Sequence, residues 1–290
     1  MPPGVRPGRV ERKKMNIVIV GLGIIGGSLA KAFSKYTKHK IIGINRTKST
    51  LEKALADGAI HEIGSEESLS SADIVYICTY PEHIVKYVEE NASRFSKSCI
   101  ITDVCGIKSE ICGRLTEICS ANGLTFCGSH PMAGKEKFSY DAADADLFKG
   151  ASYIIVPCGS GDDAVESLAE RAREIGFASV CTATPQEHDR MIAFTSQLPH
   201  VLACSYVKSP CCPKHKGFSA GSYRDVSRVA SINEDLWTDL FLDNKEPLCA
   251  ELDILIDNLS SFRRLIAEGR EDELREQLRS ARLVKEALGE

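Results

Sequence analysis

No apolar run in this 290-residue chain approaches the roughly 20 residues that a membrane-spanning helix needs. Nor do its lysines and arginines line up as a stripe able to neutralise a row of phosphates; the formal net charge is -4. A soluble protein is expected, with neither membrane nor nucleic acid among its partners. The Pro-, Gly- and Arg-rich start lacks the apolar core of a secretory signal, so residues 1–14 read as a disordered leader, Met15 as a candidate start and the location as cytoplasmic. Paired metal-ligand spacing is missing as well: Cys211, Cys212 and His215 are the only cluster among 12 cysteines, and no second ligand pair accompanies them. No metal is expected. Cys78, Cys99 and Cys158 lie in apolar stretches and read as reduced core residues. Internal repeats and low-complexity tracts are absent.

What is present has globular proportions, 43% hydrophobic and 26% charged, and a length that favours two domains. From Met15 onward, short β-branched runs alternate with amphipathic stretches, the pattern of βαβ units on a parallel sheet. Strands are predicted at 16–20, 40–44, 73–78, 99–103, 125–128, 152–157 and 179–182, with helices near 24–36, 49–57, 81–92, 107–121 and 162–175. After Thr182 no strand pattern follows. Thr184, Pro185 and Glu187 form a helix start with a capping box. Helices are predicted over 185–209, 219–231, 234–242, 247–268 and 271–288. The expected fold class is therefore an α/β doubly wound Rossmann-type domain, residues 15–183, followed by an all-α domain, 184–290. The long apolar face of Leu248, Leu252, Leu255, Leu259, Phe262 and Ile266 suits helix packing, with a second copy as one source of the partner helix.

Gly21, Gly23 and Gly26 stand in a Gly-x-Gly-x-x-Gly string, with Ile24 and Ile25 between, directly after an apolar strand and at the opening of a helix. In that context the glycines serve a tight turn, close approach of backbone to a pyrophosphate, and packing of helix on strand. The phosphates then meet free N–H groups at the helix N-terminus. At the end of the second strand an acidic residue would select NAD; this chain has Asn45, Arg46 and Thr47 instead. A cationic tip holds a 2′-phosphate, so NADP is favoured, with NAD the alternative.

His130 follows a strand run at the sheet edge where open α/β sheets bind ligands, and an imidazole titrating near pH 6.5 can accept a hydroxyl proton as hydride leaves the same carbon. Taken alone, such a histidine suits a structural role equally. Ser196 and His200 share a helical face beside Pro199, a polar pocket wall. His188 lies roughly 18 Å up the helix axis from His200, too far to share a small substrate, and reads as structural. Arg224 and Arg228 place two guanidinium groups one turn apart, suited to carboxylates, unless Asp225 ties them into a surface salt-bridge network.

The glycine loop, Asp103 to Lys108, Gly128 to Gly134, Ser196 to His200 and Tyr223 to Arg228, in this order and spacing, closely resemble the prephenate/arogenate dehydrogenase family from Met15 to the C-terminus. The resemblance implies NAD(P)-dependent oxidative decarboxylation of prephenate to 4-hydroxyphenylpyruvate in tyrosine biosynthesis. Arogenate as substrate, or a β-hydroxyacid dehydrogenase-like activity, are the alternatives. It implies His130 and His200 as catalytic residues, with His130 bonded to the ring hydroxyl. Ser196, Arg224, Arg228 and Glu136 are implied at the substrate, Arg228 on its side-chain carboxylate. The apolar face from Leu248 to Ile266 carries the expectation of a homodimer through the helical domain. The family often has Gly-Ser after Asp-Val, the serine assisting the catalytic histidine; here Cys105 and Gly106 stand there. Neither a mutase-like extension nor a ligand-sensing domain is expected.

Overall fold

The computed structural model describes residues 14–134 and 139–289. All but one of the expected leader residues, and Glu136, lie outside that set. By compactness the chain divides into two units between Asp189 and Arg190.

In the first unit, β1 (Asn16–Val20), β2 (Lys40–Ile44), β3 (Glu62–Ile63), β4 (Ile74–Ile77), β5 (Ile100–Asp103) and β6 (Thr125–Phe126) form a parallel sheet in the order β3-β2-β1-β4-β5-β6. The central strands β1, after its first residue Asn16, and β4 are apolar because helices cover both faces. On one face, Leu29 and Phe33 of α1 (Ile24–Tyr36) and Leu51 of α2 (Lys48–Ala56) pack with Tyr76, Tyr153 and Leu168. On the other, Ile84 and Val88 of α3 (Pro81–Asn91) meet Ile111 and Leu115 of α4 (Ser109–Ala121). Strand order reverses between β1 and β4, and such a switch point opens a crevice at the carboxyl ends of the strands.

The later strands depart from a single parallel sheet. The run 125–128, expected as one strand, divides at Cys127: β6 stays on the large sheet and β7 (Gly128–Pro131) leaves it. β7 pairs antiparallel with β8 (Ser152–Val156), which pairs parallel with β9 (Ser179–Thr182), so these strands build a second, three-stranded sheet. Between β8 and β9 runs α5 (Asp162–Glu174). β3 was not foreseen; it has two residues, both exposed, and owes its place to pairing with β2.

Past β9, Thr184 and Glu187 cap one another, the Glu187 carboxylate accepting from Thr184 N at 2.9 Å and Thr184 Oγ1 from Glu187 N at 3.2 Å. α6 (Pro185–Ile192) starts there, passes into a π-helical segment, Ala193–Gln197, and continues as α7 (Leu198–Tyr206). The expected single helix over 185–209 is thus interrupted just ahead of Pro199. The second unit adds α8 (Gly221–Ser227) with a 3-10 turn at Arg228–Ala230, α9 (Glu234–Asp243), α10 (Lys245–Ala267) and α11 (Glu271–Ala287). Along α10 only Leu248 and Leu265 are buried, while Ile254, Ile256, Leu259 and Ile266 are more than half exposed.

Candidate active site

The glycine loop joins β1 to α1 at the switch point. Gly21 has φ +90°, a conformation that L side chains avoid, and its N–H is bound by Ile44 O at 2.8 Å. A Cβ on Gly26 would sit 1.9 Å from Gly21 O, whereas one on Gly23 would meet nothing within 4 Å. The loop is therefore packed shut behind Gly26 and open in front of Gly23. Gly23 is the N-cap of α1 and offers no side-chain cap, and the first turn holds no acidic residue. The orphan N–H groups of that turn, including those of Ile24, Ile25 and Gly26, suit a phosphate. These residues fit a dinucleotide. At the tip of β2, Asn45 turns inward: its Oδ1 accepts from Leu22 N at 3.0 Å and its Nδ2 donates to Thr47 O at 3.2 Å, while Arg46 and Thr47 are exposed.

His130 lies within β7, opposite Ile154 of β8, and not beyond a strand end as expected. Its strand is anchored from beneath by Ser129, whose Oγ donates to Asp103 O at 2.6 Å and accepts from Tyr153 OH at 2.7 Å. Asp103 in turn accepts from Cys105 N at 2.8 Å and from Lys108 Nζ. Burial, then the nearby charge of Lys108, holds the His130 imidazole well below its ordinary pKa. It is neutral at physiological pH, as a general base must be.

His188, expected to be structural, lies against His130. Its Nε2 is 2.9 Å from His130 Nδ1, and its Nδ1 is 2.7 Å from Asp189 Oδ1. Spacing along its own helix hid this, because the partner sits on β7. Cys105 is buried, and burial together with Asp103 pushes its thiol well above the ordinary value, so it stays protonated. Lys108, buried with Asp103, is a further functional group that sequence reasoning passed over, although it lies in a quoted motif. Burial pulls its ammonium down, yet the Asp103 carboxylate leaves it above its usual pKa.

In the helical unit, His200 Nδ1 donates to Ser196 O at 2.7 Å, and its ring stacks on Trp237 with centroids 3.7 Å apart. Since a carbonyl only accepts, Nδ1 carries a proton, and in the neutral ring Nε2 is left as an acceptor. Gln197, buried beside them, donates to Leu240 O and accepts from Asn244 Nδ2, each at 2.7 Å, which ties the π segment to α9 and α10. Trp237 was not foreseen, being one aromatic among several in an apolar run. Arg224 lies in α8 and Arg228 at its C-cap, both exposed. Among the described residues no group of three His, Cys, Asp or Glu could hold a metal.

A Rossmann sheet with an open glycine loop, a neutral histidine on the adjoining strand β7 and a helical unit that follows in sequence define a dinucleotide-dependent oxidoreductase. The family model described as prephenate dehydrogenase, nucleotide-binding domain, matches residues 29–181, and that for the prephenate dehydrogenase dimerization domain matches 184–280. A prephenate dehydrogenase of Bacillus subtilis is 30% identical over 289 residues, covering 96% of this chain and 77% of its own. Among solved structures, Synechocystis arogenate dehydrogenase superposes with a TM-score of 0.83 at 27% identity, covering 94% of this chain and 100% of that one. Aquifex aeolicus prephenate dehydrogenase, in complex with hydroxyphenyl propionate and NAD+, also gives 0.83, at 25% identity over 96% of this chain and 99% of that one. The chain belongs to the prephenate dehydrogenase family, and its cofactor is a nicotinamide dinucleotide.

Proposed function

We propose that this protein converts prephenate to 4-hydroxyphenylpyruvate and carbon dioxide, with residues 15–183 binding the dinucleotide and residues 184–290 binding substrate and pairing with a second copy. The observation that carries this reading is the neutral His130, backed at Nδ1 by His188 at 2.9 Å. When bound, the oxidised nicotinamide accepts hydride from the ring carbon that bears the hydroxyl. His130 Nε2 takes the hydrogen bond of that hydroxyl as the carbon–oxygen bond gains carbonyl character. Loss of the ring carboxylate as carbon dioxide then makes the ring aromatic, and the proton returns to the phenolic oxygen. In this reading Arg228, with Arg224, meets the side-chain carboxylate, and Ser196, His200 and Glu136 are the further substrate residues. The chain needs only to align donor carbon, base and carboxylate anchors.

The two arginines favour a substrate whose side chain carries a keto group over one carrying an ammonium. The likeness to the Synechocystis arogenate dehydrogenase supports arogenate as the second reading. At the tip of β2, Asn45 is committed to the glycine loop, which leaves Arg46 to meet a 2′-phosphate, and none of Asn45, Arg46 and Thr47 is acidic. NADP is favoured on that ground; NAD, held by the A. aeolicus relative, is the alternative. The uncovered apolar residues of α10 support a homodimer, and a cytoplasmic location completes the reading. The deciding experiment follows the near-ultraviolet absorbance of reduced nicotinamide on mixing the protein with prephenate or arogenate and NAD or NADP. Absence of reduction with every pair would refute the assignment.

A further inference from the structure

Asp189 connects two parts of the first unit that are distant in sequence. Its Oδ1 accepts from Lys108 N at 2.8 Å and its Oδ2 from Ser109 N at 2.7 Å. These are the N-cap and first residue of α4, a helix whose N-cap offers no side-chain cap of its own. Orphan N–H groups at a helix start favour a negative partner. Burial pushes the Asp189 carboxyl up, but the bonds from His188, Ser109 and Lys108 prevail and keep it below its usual value. An ionised carboxylate is acceptor-only, so the proton in the 2.7 Å contact lies on His188 Nδ1.

The consequence passes outward through the second imidazole. With Nδ1 protonated, a neutral His188 has its lone pair on Nε2, so the 2.9 Å bond to His130 takes its proton from His130 Nδ1. Neutral His130 then keeps its lone pair on Nε2. A doubly protonated His188 would reverse the arrangement: it would donate to His130 Nδ1 and leave a proton on Nε2, useless for accepting another. It would also place a second cation near Lys108, with both side chains fully buried. Of the three relay residues, His188 and Asp189 are buried and His130 alone is partly exposed.

We propose that His188 and Asp189 are positioning residues that hold His130 in its Nδ1–H tautomer and so reserve Nε2 for the ring hydroxyl. This rests on His130 being the base. As His130 gains a proton, the chain through His188 to Asp189 faces the new positive charge with a carboxylate already in place, without reorganisation. The other charged or titratable groups around the relay are Lys108, Asp103 and Cys105, all on β5 and the segment leading into α4.

The test is nitrogen-15 NMR of the full chain with its seven histidines labelled, His130 and His188 being assigned by their substitution with Asn and Gln. At neutral pH both rings should show a protonated Nδ1 and a bare Nε2. A proton on His130 Nε2, or two on His188, overturns the proposal. Kinetics provide a second arm. His188→Leu should lower kcat by roughly 10²-fold, the scale of a general base in the wrong tautomer, with KM for prephenate within about twofold. His188→Gln, whose amide oxygen still accepts from Nδ1–H, should restore about tenfold of that loss. An unchanged kcat in folded His188→Leu also overturns the proposal. If that variant does not fold, the wild-type spectrum decides. Full activity of His130→Asn would instead refute His130 as the base and leave the tautomer assignment to the spectrum.

Discussion

Lys108 Nζ and Asp103 Oδ2 meet at 2.5 Å, and neither side chain has any exposed surface. Lys108→Met would leave the Asp103 carboxylate buried without its partner, a loss of about 3–5 kcal/mol in chemical denaturation. The same substitution removes a positive charge that opposes protonation of His130. The imidazole pKa should therefore rise, and the acid limb of the kcat/KM profile should move toward neutral pH. A limb that stays in place would separate Lys108 from the base.

His130 also links stability to pH. Its folded pKa is lower than the unfolded value near 6.5, so below that value the unfolded chain binds the extra proton and stability falls as pH falls. The contribution is fully present above pH 6.5 and declines at up to about 1.4 kcal/mol per pH unit beneath it. Denaturation midpoints of wild type and His130→Asn between pH 7.5 and pH 5 should converge toward the acid end. Parallel curves would contradict the depressed value.

Gly23 and Gly26 should part company when each becomes alanine. Gly26→Ala drives a Cβ against the Gly21 carbonyl and should cost about 3 kcal/mol or more as overpacking. Gly23→Ala meets no protein atom, so the free protein should lose about 1 kcal/mol at most, the usual difference between Gly and Ala at a helix N-cap. Its dinucleotide affinity, by titration calorimetry, should nonetheless fall by roughly tenfold or more, about 1.4 kcal/mol. Unchanged affinity would show that the pyrophosphate does not pass over Gly23.

Arg228→Ala should raise KM for prephenate by roughly tenfold or more, since a charged hydrogen bond contributes about 1.5–3 kcal/mol. The contact is made in ground and transition states alike, so kcat should change little. Arg228→Lys should recover only part of the loss, because it lacks the planar fork. Should Arg224→Ala alone raise KM, the anchor is Arg224.

Arg46→Ala should lower the kcat/KM ratio of NADP over NAD by roughly tenfold, a charged contact of about 1.4 kcal/mol removed from one cofactor only. An equal effect on both cofactors would take Arg46 away from the 2′-phosphate.

The parts of the fold that were legible are those fixed by local chemistry. The apolar strands β1, β2, β4 and β5, the glycine loop and the Thr184–Glu187 capping box each announce themselves within a few residues. What was not legible depends on remote partners. Nothing near Cys127 says that the strand changes sheets there, since β7 is chosen by β8. His188 sits 58 residues from His130, and only tertiary structure brings their rings together. Likewise Trp237 finds His200, and Asn45, read as a cofactor contact, also holds the glycine loop in place.

The π-helical turn Ala193–Gln197 gives the helical unit an inheritance of its own. A wide turn of this kind accommodates one residue more than a regular helix, and each residue advances the bearing of everything after it by about 100°. Deleting one residue from it would leave an ordinary helix of sound composition. Pro199, Ala203 and the rest of α7 would then point elsewhere relative to Arg190–Ile192, and His200 would no longer lie flat on the indole of Trp237. A single three-base gap in the gene can thus re-aim the whole wall without replacing one of its side chains, a larger change of chemistry than most substitutions in it could make.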